Sequence, residues 1–258
     1  MYVREFPGRD AAGGGLPDRV LVWLHGLGDS GLSFEHLAGA PELAGWRQLS
    51  PDLPGYGRSP WPAQPWDLAA QADHLAAWLR ERGEPPVVVA GHSQGGVHAL
   101  LLAERHPGRV AGVVDIEGNK SLADCVLSGT AARQTEVAFV QGGFDRLRRL
   151  VYRAGQEDAA QRGYFASLCL CDPRLLHANS RELVALSRSE RLAARLAALD
   201  VPSLYVAGVP GGASARSLEL LAEAGVAVAR IEPSGHCPFL DRPAEFLAAL
   251  SRFLARWE

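Results

Sequence analysis

The pentapeptide Gly91-His92-Ser93-Gln94-Gly95 places a serine between two glycines at the spacing of a nucleophile turn. It follows Pro86-Val87-Val88-Val89-Ala90, a short β-branched run that reads as a buried strand. It precedes a stretch in which Val97, Leu100, Leu101 and Glu104 fall at helical spacing until His106-Pro107 ends it. Glycines two residues to either side of Ser93 remove Cβ atoms where strand and helix crowd, so a strained corner can present the hydroxyl freely. A hydroxyl becomes a useful nucleophile only when a neighbouring imidazole takes its proton. With 28 glycines and eight histidines in the chain, the elements around the pentapeptide must carry the argument.

Those elements alternate. Val20-Leu21-Val22-Trp23-Leu24 is a second buried strand, and Leu68, Ala72, Leu75 and Leu79 mark a helix over 67–82 that Gly83 closes. Val110 to Ile116, Ser203 to Ala207 and Val226 to Ile231 read as further strands, and a last helix runs from about Pro243 to Trp257. The glycine cluster Ala11 to Gly15 reads as a hairpin turn. From about 118 to 200 the alternation gives way to helix-prone sequence rich in Leu, Ala and Arg. The pattern predicts an α/β fold with a mostly parallel, doubly wound sheet of about eight strands. Its core comprises 1–117 and 201–258, with 118–200 inserted as a helical cap.

At 258 residues and 47% hydrophobic composition the chain can bury a substantial core. The net charge of −3 and the absence of a basic run speak against nucleic acid or an anionic membrane as partner, and leave a small molecule. The N-terminus has no apolar leader segment and nothing approaches a membrane span, so a cytoplasmic location is expected. Cys125, Cys169, Cys171 and Cys237 lack metal or C-x-x-C spacing and read as reduced thiols, and no cofactor or metal motif is present. Lys120 is the only lysine beside a large excess of arginine, which reads as compositional bias.

With these elements placed, the chain resembles the α/β-hydrolase superfamily over nearly its whole length outside the inserted segment. Four segments carry the resemblance: His25-Gly26-Leu27-Gly28, Asp52-Leu53-Pro54-Gly55-Tyr56-Gly57-Arg58-Ser59, the turn at Ser93, and Gly235-His236-Cys237-Pro238-Phe239-Leu240-Asp241. The resemblance implies that His236 is the base and that the backbone N–H groups of Leu27 and Gln94 form the oxyanion hole. His25 and the Asp52–Ser59 turn read as loop-holding groups. Strand alternation turns His92 away, and Asp241 reads as a helix cap before Pro243.

The acid is the open position. Many relatives carry it after the penultimate strand, but Gly208-Val209-Pro210-Gly211-Gly212-Ala213-Ser214 has no carboxylate. Haloalkane dehalogenases and fungal zearalenone-type lactone hydrolases place it at the tip of the strand after the nucleophile helix, where this chain has Glu117. Asp115 is the rival, being two residues earlier on the same face. An acid from the inserted segment, such as Asp145, or no acid at all, remains open.

Dehalogenation itself is excluded by Ser93, because a serine would form an inert ether in place of a cleavable ester. The reading is therefore acyl transfer to Ser93 and hydrolysis of a small, largely apolar ester or lactone. Trp61, Phe144, Tyr152 and Tyr164, with Trp66 and Phe165, are candidates to line an apolar pocket. A thioesterase, a C–C bond hydrolase or a lyase on the same fold, or a non-catalytic ligand-binding relative, are the alternatives.

Overall fold

The strand sequences are apolar at nearly every position because both faces of the sheet are covered. The computed structural model describes residues 1–8 and 18–257. Its strands are β1 (Tyr2–Phe6), β2 (Val20–Leu24), β3 (Arg47–Asp52), β4 (Val87–His92), β5 (Val110–Ile116), β6 (Ser203–Gly211) and β7 (Val228–Gly235). They form one sheet in the order β1-β3-β2-β4-β5-β6-β7, parallel throughout except for β1, which is antiparallel to β3. Among the described residues the sheet therefore has seven strands, not about eight. The hairpin expected at Ala11–Gly15 lies outside the described residues.

Helices fill the connections. α1 (Leu68–Glu81) joins β3 to β4, and α2 (Gln94–Arg105) joins β4 to β5. Between β5 and β6 lie α3 (Val126–Ala132), α4 (Glu136–Ala138), α5 (Phe144–Ala154), α6 (Ala159–Leu168), α7 (Pro173–Arg188) and α8 (Leu192–Ala197), with no strand among them. α9 (Ala215–Glu223), α10 (Pro238–Asp241) and α11 (Pro243–Leu254) complete the chain.

Period-two alternation sends successive strand residues to two separate cores. Val20, Val22, Leu24, Val87, Val89 and Val113 pack with α1 and α2, whereas Leu21, Trp23, Val88, Ala90, Val114 and Ile116 pack with α11. α1 begins where Asp67 accepts the Ala70 amide at 2.6 Å and ends at Gly83, whose φ of +68° a side chain would oppose. β1 was not legible as a strand because it is an edge: one ladder and partial exposure tolerate Arg4 and Glu5. β6 and β7 each run on past the apolar runs that marked them, to Gly211 and Gly235, and these glycine- and proline-bearing extensions reach the functional end of the sheet.

α2 carries an unusual core residue. His98 is 1% exposed, and among the described residues neither ring nitrogen has a hydrogen-bond partner. Burial, reinforced by nearby His25, pushes its ionisation from 6.5 down to about 3. The unfolded chain therefore takes up this proton first as the pH falls. Stability from the neutral ring is complete above about pH 6.5 and is lost progressively towards pH 3. Urea unfolding from about pH 7.5 to about 4.5 should show a slope of roughly 1.4 kcal/mol per pH unit from this group below pH 6.5. His98→Leu should remove that component; an unchanged slope would show that His98 does not bear it.

Candidate active site

Ser93 sits where β4 stops and α2 starts, at φ +54° and ψ −117°. Its amide donates to Ile116 O (2.8 Å) and its carbonyl accepts from Gly96 N (2.9 Å), so the turn is locked to β5 and to the helix. The flanking glycines are required by contact: a Cβ on Gly91 would fall on the Gly95 carbonyl, and one on Gly95 would fall on the Leu24 carbonyl. Ser93 opens on a cavity of about 850 Å³ that His236, Glu117, Leu27 and Tyr164 also line.

Glu117 follows β5 directly and also has a left-handed backbone, φ +55°. Its side chain is 2% exposed. Oε1 accepts the amides of Gly208 (2.6 Å) and Ala213 (3.0 Å), and Oε2 lies 3.2 Å from His236 Nδ1. The glycine-rich tip of β6, which lacks a carboxylate of its own, thus wraps the carboxylate of β5 with main-chain donors. A Cβ on Gly212 would lie 2.6 Å from Oε2, so the wrap depends on glycine there.

His236 follows β7, with its side chain 49% exposed to the cavity side. Its loop is pinned by Asp241, whose Oδ2 accepts from Gly235 N (2.7 Å) and Ser234 Oγ (3.0 Å). Asp241 was expected to cap the following helix; instead it is the last residue of α10, and Arg242 occupies the N-cap of α11 without a side-chain bond. Among the described residues no hydrogen bond joins Ser93 Oγ to His236, although both side chains line the same cavity.

His92 also departs from expectation. Alternation does send it to the side of Val88 and Ala90, but that is the side from which the His236 loop arrives. Its ring lies 4.8 Å from the His236 ring, centroid to centroid, and its Nε2 donates to the His236 carbonyl at 2.8 Å. Burial, then the neighbouring His236, pushes its ionisation down to about 3, so the ring is neutral.

Asp115 is engaged elsewhere: Oδ2 pairs with Lys120 Nζ at 2.6 Å and Oδ1 accepts Gly118 N at 3.0 Å, all fully buried. Asp145 is exposed on α5 and faces Arg148 at 3.8 Å. His25 holds its loop as expected, with Nε2 accepting Leu53 N (3.0 Å) and Nδ1 donating to Gly26 O (2.9 Å).

The amides of Leu27 and Gln94 donate to no other group among the described residues. Leu27 lines the cavity, and Gln94 is the first residue of α2, whose leading amides have no acceptor within the helix. Of the four aromatic candidates only Tyr164 lines the cavity, donating its hydroxyl to Leu27 O at 2.9 Å. Trp61 is exposed and donates to Leu170 O, Phe144 is buried against Phe139, and Tyr152 is an exposed partner of Phe165. Aromatic composition does not tell which ring faces inward. Asp29 and Asp124 also line the cavity, and neither belongs to a motif that marks it in the sequence.

A family model described as the alpha/beta hydrolase fold matches residues 19–168. The pimeloyl-[acyl-carrier protein] methyl ester esterase of Neisseria meningitidis serogroup B is 30% identical over 263 residues, covering 92% of this chain and 93% of that protein. Lipase LipV of Mycobacterium tuberculosis is 46% identical over 99 residues, which is 38% of this chain and only 36% of the lipase. The enol-lactonase from Burkholderia xenovorans LB400 superimposes with a TM-score of 0.78 over 98% of this chain and 96% of its own, at 18% identity, a likeness of fold.

The pin at Asp241 is testable by itself. Asp241→Ala removes the acceptor of a main-chain amide and a hydroxyl, and should cost about 1–2 kcal/mol of stability. Hydrogen–deuterium exchange should quicken in the peptide that carries Gly235 while β4 stays protected. Unaltered exchange there would mean that the loop is held by other contacts.

Proposed function

Because the chain belongs to the α/β-hydrolase family, we propose that it hydrolyses a carboxylic ester or lactone through an acyl-enzyme on Ser93. The observation that carries this reading is the Glu117–His236 pair at 3.2 Å, opening on the same cavity as a serine held at positive φ. Glu117 Oε2 accepts from Nδ1–H of His236, which leaves Nε2 free of its proton and able to act as base. A carboxylate already held by two amides stays in register while the imidazole gains charge.

In the reaction, Ser93 Oγ attacks the carbonyl carbon and its proton passes to His236 Nε2. The oxyanion forms at the Leu27 and Gln94 amides, the second of which is also favoured by the positive end of α2. The tetrahedral intermediate collapses, the alcohol leaves with the proton from His236, and a water activated by the same imidazole cleaves the acyl-enzyme. A lactone follows the same course, its alcohol remaining attached to the acyl chain. The relatives named as esterase and lipase support ester cleavage as the reaction class.

Residues 118–200 serve in this reading as a cap over the cavity, since Leu127, Val151, Tyr164 and Leu183 from its helices line it. The lining includes Asp29, Glu35, Glu117 and Asp124 but no lysine or arginine among the described residues. Burial holds Asp29 above the usual carboxylate range, whereas amide and hydroxyl donors hold Asp124 below it. A free carboxylate on the substrate would meet no cation here, so the substrate is uncharged near the cleaved bond. A volume of about 850 Å³ suits a medium-sized acyl or ring system better than an acetyl group.

Purified protein should cleave a neutral p-nitrophenyl ester and be labelled at Ser93 by a fluorophosphonate. Ser93→Ala and His236→Ala should each abolish turnover while leaving the thermal melt in place, and Glu117→Gln should lower kcat on the order of 10³–10⁴-fold. An ester of the same length ending in a carboxylate should be at least about tenfold poorer in kcat/KM than its neutral counterpart. Full activity in Ser93→Ala would overturn the nucleophile assignment, and labelling without turnover would favour a ligand-binding role.

A further inference from the structure

We infer that Lys120 is a positioning residue for Glu117, an inference that rests on the triad reading above. The chain has 26 lysines and arginines together, of which Lys120 is the single lysine. That lysine is 1% exposed. Its ammonium spends its three hydrogens on three acceptors: Asp115 Oδ2 (2.6 Å), Gly118 O (2.9 Å) and Asn119 O (3.3 Å). The group also lies 4.9 Å from the centre of the Tyr205 ring, and the Tyr205 hydroxyl donates to the same Gly118 carbonyl at 3.2 Å.

These acceptors bracket Glu117. Asp115 precedes it by two residues on β5, and Gly118 and Asn119 are the two residues that follow it. The ammonium therefore gathers both sides of the turn onto one point and closes the chain around a non-glycine residue at φ +55°. Gly118 completes the knot, because a Cβ there would strike Asp115 Oδ1. An arginine, with a planar fork of five donors, does not match three acceptors converging on one point, which accounts for a lysine here in an arginine-rich chain.

The second consequence is electrostatic. Asp115 and Glu117 lie two residues apart at the same strand end, and only Glu117 reaches His236. With Lys120 neutralising Asp115, the imidazole faces a single carboxylate of fixed direction. Without the ammonium, two carbonyls and a carboxylate lose their common donor, and the turn can relax Glu117 away from the Gly208 and Ala213 amides and from Nδ1.

The test is the double variant Asp115→Asn/Lys120→Met, which removes both buried charges while the carboxamide introduced on β5 can still accept the Gly118 N–H. It is compared with the parent and with Glu117→Gln on the same neutral ester. The expected result is a folded protein by circular dichroism, with KM within about twofold and kcat at least about tenfold lower. The acid limb of the kcat/KM profile should move to lower pH, because an imidazolium without an aligned carboxylate gives up its proton more readily. A double variant with parental kcat and an unmoved acid limb would confine Lys120 to charge pairing and overturn the inference.

If the double variant does not fold, Lys120→Arg keeps the positive charge beside Asp115 but offers a planar fork to the three converging acceptors. It should lower kcat several-fold with the same direction of limb shift, and parental kinetics in it would overturn the inference equally. Full activity in Glu117→Gln would instead defeat the triad reading itself, so the two failures are distinguishable.

Discussion

At Ser93 the main chain adopts φ +54° and ψ −117°, a region that a residue with a side chain enters only when its surroundings leave no other path. The surroundings here are backbone. The serine amide is tied to the end of β5, the serine carbonyl is tied into α2, and the helix start comes so close to β2 that Gly95 lies against the Leu24 carbonyl. Everything at the functional end of the sheet follows from that close approach. It fixes where α2 points its unpaired amides, how near Leu27 can stand, and which strand tips remain within reach of the hydroxyl.

The reach is filled from three neighbouring strands. β5 brings Glu117, β6 brings amides, and β7 brings His236, so that each polar group is delivered at a strand end and satisfied by its neighbour. Beneath this layer lies a second one of buried groups that touch no cavity wall, the Asp115–Lys120 pair among them. His92, neutral through burial, lies tilted beside the imidazole and donates to its main-chain carbonyl. Asp241 holds the same loop from the other side. A half-exposed histidine is thus held by its backbone, while its ring meets the Glu117 carboxylate on one side and the His92 ring on another.

What the sequence revealed was whatever depends on local pattern. Buried strands, the helix from Asp67 to Gly83, the turn at Ser93 and the loop at His236 are written in contiguous residues, and each was placed to within a few positions. The contact between Glu117 and His236 was foreseeable because the tip of β6 lacks a carboxylate. What stayed hidden depends on groups brought together from afar. Alternation told which face His92 takes, but not that the β7 loop descends on that face. Asp241 precedes a proline as a cap would, yet the loop six residues earlier captures its carboxylate. Lys120 passed for composition, since nothing local shows that an ammonium is enclosed. The aromatic residues of 118–200 could not be sorted because helices as short as these present several faces to partners.

Carrying the carboxylate on β5 leaves residues 209–214 with a purely main-chain task towards the imidazole, apart from the glycine that Oε2 requires at 212. In a hydrolase whose acid stands on this segment, the chemistry forbids most exchanges there. Of these residues Gly211 and Gly212 line the cavity, while the Ser214 hydroxyl is spent on capping α9 at Ser217 N. The wall beside the imidazole is accordingly bare main chain at 211 and 212, and the room left there is set by the course of the backbone, with no side chain to trim or enlarge it.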